Sequence, residues 1–567
     1  MNPFVEEIIE KAASATGIED DSLRALLSTP PEEDMGDYAL PCFTLAKTLR
    51  KNPAQIATDV AAQLKDMLSD RIDVVEAAGA YVNFKLNRTA FIQHTLNDID
   101  VKGNSYGSNG QGKGKIFAID YSAPNLAKPF GIQHLRSTAI GNSIYRIHKF
   151  LGWNCVGINY YGDYGANFGQ LLAAYSLWAD PEKVKVAPVA ELSDLYVRFN
   201  EEMKKNSELR EESRDRLVRL SAGDQEMLSL WKYFVTEGRK EAERIYQILD
   251  VEFEDYLGES HFANQLDQTI NFFGNHCLVE ESDGALIIRI GEEMPPCMLR
   301  TSAGTSTYHS RDLAALRYRW KRYAFDKMVY VTDVRQQLHF RQLFASLQRA
   351  GVDWVNRCVH APFGLLSFKG EAMGTRKGNV LLLEEVLDRA IELAKNIIQE
   401  KNPDLLDKES VARQVGIGAV IFADVNNRRT RDVSFSLEEV LNFDGETGPY
   451  LQYTHARFCS IIKKSRKPLD RIGNVSRLGE QAEMRVARQL AEFPYQVDLA
   501  AAENEPSYIT TYLLDLATAA NKMYNELQIL VPDNLELAEA RVHLVDCVRS
   551  VLQTGLELIG MKAPEEM

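Results

Sequence analysis

Between residues 116 and 161 the apolar positions change period twice. IFAIDY at 116–121 is a short run of apolar and β-branched residues, the pattern of a strand buried on both faces. Ile140, Ile144, Ile147 and Leu151 then recur every third or fourth residue, which marks one face of a helix ending at Gly152. CVGINYY at 155–161 is strand-like again. A strand, a helix and a strand in this order predict a βαβ unit, and with it an α/β fold built on a Rossmann-like, doubly wound parallel sheet. KMVYVTD at 327–333, the helical LHFRQLFASLQRAG and the strand-like CVHAPFGLL repeat the theme. The sheet is therefore expected to resume after a charged, mostly helical insertion at about 170–295.

The flanks have different periods. Phe4–Ala15 and Ala54–Leu68 are amphipathic helical stretches, and VVEAAGAYVNFKL alternates like strands, so residues 1–105 are expected to form a small α+β domain. The glycine-rich stretch VKGNSYGSNGQGKGK at 101–115 reads as a linker. Gly107, Gly112 and Lys113 in it have the spacing of a phosphate-binding P-loop, but Gly114 replaces the hydroxyl residue and the stretch precedes a strand instead of following one. Residues 112–390 are expected to form the α/β domain. Residues 391–567 keep a helical period almost throughout, down to Val548, Leu552, Leu556 and Ile559, and predict an all-helical C-terminal bundle.

Composition narrows the class. Of 567 residues, 45% are hydrophobic and 26% charged, which excludes a fibre or a disordered chain. The formal net charge of −15 argues against indiscriminate binding of polyanions. Seven cysteines without a CxxC pair predict neither a disulfide framework nor a cysteine metal site. The start MNPFVEEIIEKA lacks the order of a signal peptide, and no apolar run is long enough for a membrane span. The expected setting is a reducing cytoplasm, without membrane contact.

The chemistry collects where the first strand meets its helix. In an open parallel sheet, ligands bind where strand C-termini face helix N-termini, and the helix end offers N–H groups to phosphate. SAPNLAKPFGIQHLRST places Asn125, Lys128, His134 and Arg136 there. This segment resembles the signature S-x-P-N-x-A-K-P…H-L-R-S-T of the arginyl-tRNA synthetases, a class I family. Gly131 to His134 occupy that family's His-x-Gly-His tetrad, with Gly131 and Gln133 departing from it and His134 retained. EAMGTRKGNVLLLEEVL resembles the family's M-S-T-R-K-G-N-V loop, with Gly374 in the Ser place.

The resemblance extends to the substrate side and to both ends of the chain. TSTYHSRDLAALRYR is similar to the T-Y-x-x-x-D-L-A-A block, VTDVRQQLHFRQ (with Gln336 and His339) to the Q-x-x-H-F block, and LGESHF to the G-E-S block. Tyr308 and Asp312 lie four apart, on one face if the segment is helical. FDGETGPYLQYTHARFCSII resembles the core of the family's anticodon-binding domain, and DMGDYALPCFTLAKTLRKNP its N-terminal additional domain.

What the resemblance implies is specific. The activity would be ATP-dependent formation of arginyl-adenylate and transfer to the terminal adenosine of tRNA(Arg). His134, Lys128, Arg376 and Lys377 would serve the transition state. Pro124, Gly131, Ile132, Gln133, His134, Met373, Gly374 and Thr375 would contact ATP, with Mg2+ carried by the nucleotide and no metal held by the protein. Asp120, Asn125, Glu259, Tyr308, Asp312 and Gln336 would bind L-arginine. Gln452, Tyr453, Arg457, Lys463 and Lys464, with His455 and the basic run KKSRK, would contact tRNA. A monomer is expected. Two other readings stay open at this point: a ligase for another amino acid, or a non-enzymatic tRNA-binding relative altered at Gly131, Gln133 and Gly374.

Overall fold

Asn2, Asn52 and Asn87 each begin a helix, their side-chain oxygens accepting from the N–H of Phe4, Ala54 and Ala90. Proline follows directly in the first two, where its missing N–H costs nothing. In this computed structural model all residues are described except 1, 33–34, 293, 303, 369–370, 373–381, 443–444 and 466–473. Internal contacts divide the chain into two units: Met1–Gly107, Arg457–Gln496 and Tyr512–Leu552, and then Ser108–Ala456, Val497–Thr511 and Gln553–Met567.

In the first unit, strands β1 (Tyr38–Pro41), β2 (Ile72–Ala78) and β3 (Tyr81–Leu86) form an antiparallel sheet in the order β1-β3-β2. Helices Pro3–Thr16 and Pro53–Leu64 bury Phe4, Ile8, Ile9, Ile56 and Leu64. Gly36, at φ 120°, lies against the Phe84 carbonyl so closely that a Cβ there would sit 2.7 Å from its oxygen. The helical part of this unit is tied internally by a buried Arg541–Glu483 ion pair (2.8 Å) and by Tyr106 donating to the Leu490 carbonyl (2.9 Å).

In the second unit, β4 (Ile116–Asp120), helix Leu135–Phe150 and β5 (Asn154–Ile158) make the expected βαβ unit. At the end of the insertion the antiparallel strands β6 (Val279–Ser282), β7 (Ala285–Ile288) and β8 (Cys297–Arg300) form their own sheet. Strands β9 (Lys327–Asp333) and β10 (Cys358–Phe363) then complete the parallel sheet, in the order β10-β9-β4-β5. Successive connections run to opposite edges from β4 and β9, so the crevice above their C-terminal ends is the switch point of the topology. Ala118, Ile158, Leu313, Leu316, Met328, Tyr330 and Leu343 share one core around this sheet. Each such large aliphatic side chain taken fully out of water contributes about 1.5–3 kcal/mol.

The insertion is helical as expected over Ala166–Trp178, Pro188–Lys205, Glu208–Ser221 and Gln225–Leu249, but its last part is the β6–β8 sheet. The glycine-rich stretch read as a linker is an ordered loop in its latter part. Gly112 donates to the Leu151 carbonyl (3.0 Å), and a Cβ on Gly112 would fall 2.2 Å from the Trp153 ring. Beyond Leu383 the chain is almost wholly helical, and among the described residues no helix is long and apolar enough to cross a membrane.

Candidate active site

Strand β4 delivers Asp120 to the switch point and is followed by two non-glycine residues in the left-handed region, Ser122 (φ 67°) and Ala123 (φ 45°). Such backbone persists only when its surroundings over-determine it. Ser122 N–H donates to Ser137 Oγ (2.9 Å), and Ser122 Oγ lies 2.8 Å from both Thr138 Oγ1 and Tyr246 Oη. Tyr246 also accepts from Asn159 Nδ2 (2.9 Å). Tyr246 comes from the insertion, so a residue of helix Gln225–Leu249 holds the strained turn; nothing local in the sequence signals this. The turn then aligns with a second loop: Gly162 N–H donates to Pro124 O (3.1 Å) and Leu126 N–H to Gly162 O (3.1 Å). Gly162 allows this approach, because a Cβ there would lie 2.9 Å from the Asn125 amide.

His134 ends the short 3-10 turn Ile132–His134 that opens helix Leu135–Phe150. Its Nδ1 accepts from the Gly131 N–H (3.2 Å), which places the ring proton on Nε2. Burial, with the Lys128 ammonium nearby, lowers its pKa to about 4. The ring is thus neutral at pH 7 and offers one N–H donor. The departures at 131 and 133 are sterically linked: a Cβ on Gly131 would stand 2.3 Å from Gln133 Oε1. The Gln133 amide fills the space that a side chain at 131 would enter.

Arg136, grouped with these residues on sequence, is displaced from the phosphate chemistry. It is completely buried, donates to the carbonyls of Gly364 (2.9 Å) and Arg431 (2.8 Å), and forms an ion pair with Asp424 (2.8 Å). Its guanidinium has several hydrogen-bond donors, and helix Lys408–Val425 and the segments around 364 and 431 use them. Met373, Gly374, Thr375, Arg376 and Lys377 lie outside the described residues.

Among the candidate arginine residues, Asp120, Glu259 and Tyr308 each lie near enough to Asp312 to feel its charge. Thr307 caps helix Tyr308–Tyr323, exchanging hydrogen bonds with Ser310, and one turn separates Tyr308 from Asp312 as the spacing predicted. Tyr308 is more than half exposed. Glu259 follows Gly258, where a Cβ would strike the Asp163 carboxylate (2.6 Å); that carboxylate in turn accepts from Ser260 N–H (2.7 Å) and Ser260 Oγ (2.6 Å). Each residue of the Gly-Glu-Ser segment therefore has a defined part in shaping the turn. Gln336 is exposed on the 3-10 turn after β9, one turn before His339.

The three carboxylates differ in their partners. Asp120 is buried and paired with Arg319 (2.8 Å), and burial raises its pKa to about 6 against the pull of that guanidinium. Glu259 is paired with Arg311 (3.0 Å), and burial raises its pKa to about 7. Asp312 meets no arginine at ion-pair distance among the described residues; its partner is His339 Nε2, 2.6 Å from Oδ2. Burial works to raise Asp312, yet the His339 hydrogen bond and the positive groups nearby hold it below the usual carboxylate value. The site therefore presents one ionised carboxylate that no internal guanidinium matches. Sequence spacing located Asp312 but missed Arg311 and Arg319, the internal cations that neutralise its two neighbours.

The candidate RNA-facing residues separate. Gln452 is fully buried and donates to the carbonyls of Gln414 (3.1 Å) and Lys562 (2.8 Å), and buried His455 is bonded to the Pro564 carbonyl (2.9 Å). Both anchor the C-terminal segment, which removes them from a recognition surface. Arg457 donates to Asn521 Oδ1 (2.8 Å), and Tyr453, Lys463 and Lys464 are exposed.

Three families of sequence match successive parts of the chain: the arginyl tRNA synthetase N terminal domain at 4–86, the tRNA synthetases class I (R) catalytic domain at 95–437, and the DALR anticodon binding domain at 451–567. The chain is 43% identical to the arginine–tRNA ligase of Alkaliphilus metalliredigens, with all of both chains covered. It is 46% identical to arginine–tRNA ligase 2 of Bacillus anthracis, covering 96% of this chain and 95% of that one. In structure it resembles the Thermus thermophilus arginyl-tRNA synthetase with a TM-score of 0.82 at 26% identity, over the full length of both. On these grounds the chain belongs to the arginyl-tRNA synthetase family of class I tRNA synthetases.

Proposed function

We propose that this protein charges tRNA(Arg) with L-arginine. The observation that carries the reading is Asp312: an ionised carboxylate without an internal arginine partner, one helical turn from Tyr308 and near enough to Asp120 at the end of β4 for their charges to interact. A substrate guanidinium supplies the missing cation, and its planar donors suit a carboxylate flanked by a phenol. Glu259, Tyr308 and Gln336 complete this side of the pocket, and Asn125 meets the amino-acid end. Asp120, buried against Arg319, acts from behind these residues through the charge of the pocket floor.

The arginine carboxylate attacks the α-phosphorus of ATP, pyrophosphate leaves, and arginyl-adenylate forms. The 2′-hydroxyl of the terminal tRNA adenosine then attacks the arginyl carbonyl, its proton is lost, and AMP leaves. No protein nucleophile takes part; the chain positions reactants and stabilises charge. Neutral His134 donates through Nε2 to a phosphate oxygen, and Lys128 adds positive charge. Arg376 and Lys377 act on the departing pyrophosphate, with Met373, Gly374 and Thr375 bordering ATP. Pro124, Gly131, Ile132 and Gln133 line the nucleotide. The groups around His134 are nitrogen donors and a cation, poor ligands for a hard divalent ion, so Mg2+ is carried by the phosphates. Tyr453, Arg457, Lys463 and Lys464 contact tRNA, and the enzyme acts as a monomer.

The test is charging of purified tRNA with a panel of amino acids, together with arginine-dependent ATP–pyrophosphate exchange with and without tRNA. Arginine alone should be transferred, and exchange should require tRNA. Transfer of another amino acid, or exchange at background under every condition, refutes the proposal.

A further inference from the structure

His339 lies within the candidate arginine pocket but has no part in the reading above. It is buried (9% exposed), with its ring 5.0 Å from that of Tyr308 and 4.5 Å from that of His309. Hydrogen bonds around it fix the direction of donation. The Pro295 carbonyl can only accept, so the Gln342 amide nitrogen (2.8 Å) donates to it and Gln342 Oε1 is left to face His309 Nε2 (3.1 Å), which carries a proton. By the same logic the Asp312 carboxylate accepts from His339 Nε2–H at 2.6 Å. His339 Nδ1 is buried with no partner among the described residues, so the ring's hydrogen bond is the one to Asp312. His339 directs Asp312 through this one hydrogen bond, whereas Asp120 and Glu259 are held in ion pairs with Arg319 and Arg311.

We infer that His339 is a positioning residue for the amino-acid substrate: its Nε2–H pins Asp312 Oδ2 and leaves Oδ1, to which no described residue donates, for the substrate guanidinium. This rests on the assignment of Asp312 to the arginine pocket. A rigid carboxylate presents one oxygen in a set direction; without the histidine the side chain is free to turn toward Arg311 or Arg319, whose charges already act on it.

Steady-state charging kinetics of His339→Leu, His339→Gln, Asp312→Asn and the double variant H339L/D312N test it. H339L should raise the KM for arginine about tenfold, the effect of losing a hydrogen bond to a charged group, with kcat within about threefold. H339Q, whose amide nitrogen reaches as far as Nε2, should restore most of the loss. In the D312N background H339L should add nothing, because His339 acts only through Asp312. A KM within about twofold of the unaltered enzyme for H339L, a failure of H339Q to rescue, or full additivity in the double variant each overturns the inference alone. An unchanged KM for D312N removes Asp312 from the pocket and overturns the functional reading with it. If thermal melts show H339L unfolded, His339→Asn, too short to reach Asp312, replaces it under the same criteria.

Discussion

Glu259 sits where burial works against its own charge. The carboxyl is paired with Arg311, yet removal from water raises its pKa to about 7. A raised carboxylate pKa means that the negative form is lost first, so as pH falls from about 8 to about 6 Glu259 takes up a proton and Arg311 is left with an unmatched positive charge beside the arginine site. The KM for arginine should therefore rise over that window, and Glu259→Gln should raise KM at high pH and flatten the dependence. A KM that stays constant from pH 8 to 6 in the unaltered enzyme would falsify this role. At the altered signature, the Gln133 amide occupies the space that a side chain at Gly131 would enter.

At the scale of elements, Arg136 and Tyr246 show how distant segments hold the turn after β4 and the helix that follows it. Helix Leu135–Phe150 carries Arg136 into full burial against helix Lys408–Val425, where Asp424 neutralises it. Removing one member of a buried ion pair leaves the other uncompensated and costs about 3–5 kcal/mol. Arg136→Ala should lower the thermal midpoint of the whole chain by several degrees, read by calorimetry or circular dichroism, and a melt superimposable on the unaltered protein would show that the pair is energetically idle. Lys should not substitute, since a single ammonium cannot serve Asp424 and the carbonyls of Gly364 and Arg431 in the same geometry. Tyr246 works similarly from the insertion, through the hydroxyls at Ser122 and Thr138.

At the scale of the whole molecule, a chain of net charge −15 is expected to bind a polyanion. The conflict is one of averaging: binding depends on local cations, while the surrounding negative surface discourages nonspecific partners. Lys463 and Lys464 are exposed at the end of helix Gly448–Lys464, where their charges also favour the helix C-terminus. tRNA affinity should fall steeply as salt rises. The double charge reversal K463E/K464E should weaken binding and reduce the log–log salt slope by about 2, one unit for each lost phosphate contact. A slope identical to that of the unaltered protein would take the two lysines off the RNA. All seven cysteines are free, so no disulfide contributes to stability at this scale.

Much of the architecture was legible in the chain because its causes are local. The period of Ile140, Ile144, Ile147 and Leu151 specifies a helix face, the apolar runs at 116–121 and 327–333 specify buried strands, and the four-residue step from Tyr308 to Asp312 places both on one face of a helix. The ordered glycine-rich loop and the β6–β8 sheet were missed because packing onto Trp153 and short strand pairings override composition. The sequence by itself determined the elements, their order and which polar residues were available for chemistry. Only the tertiary structure decided which of those residues are still free to perform it. Arg136, Gln452 and His455 are spent on distant carbonyls, Asp120 and Glu259 are matched by Arg319 and Arg311, and Asp312 keeps its charge. The reason is physical: periodicity and capping are set by neighbours along the chain, whereas burial and the choice of hydrogen-bond partner are set by segments that meet only after folding.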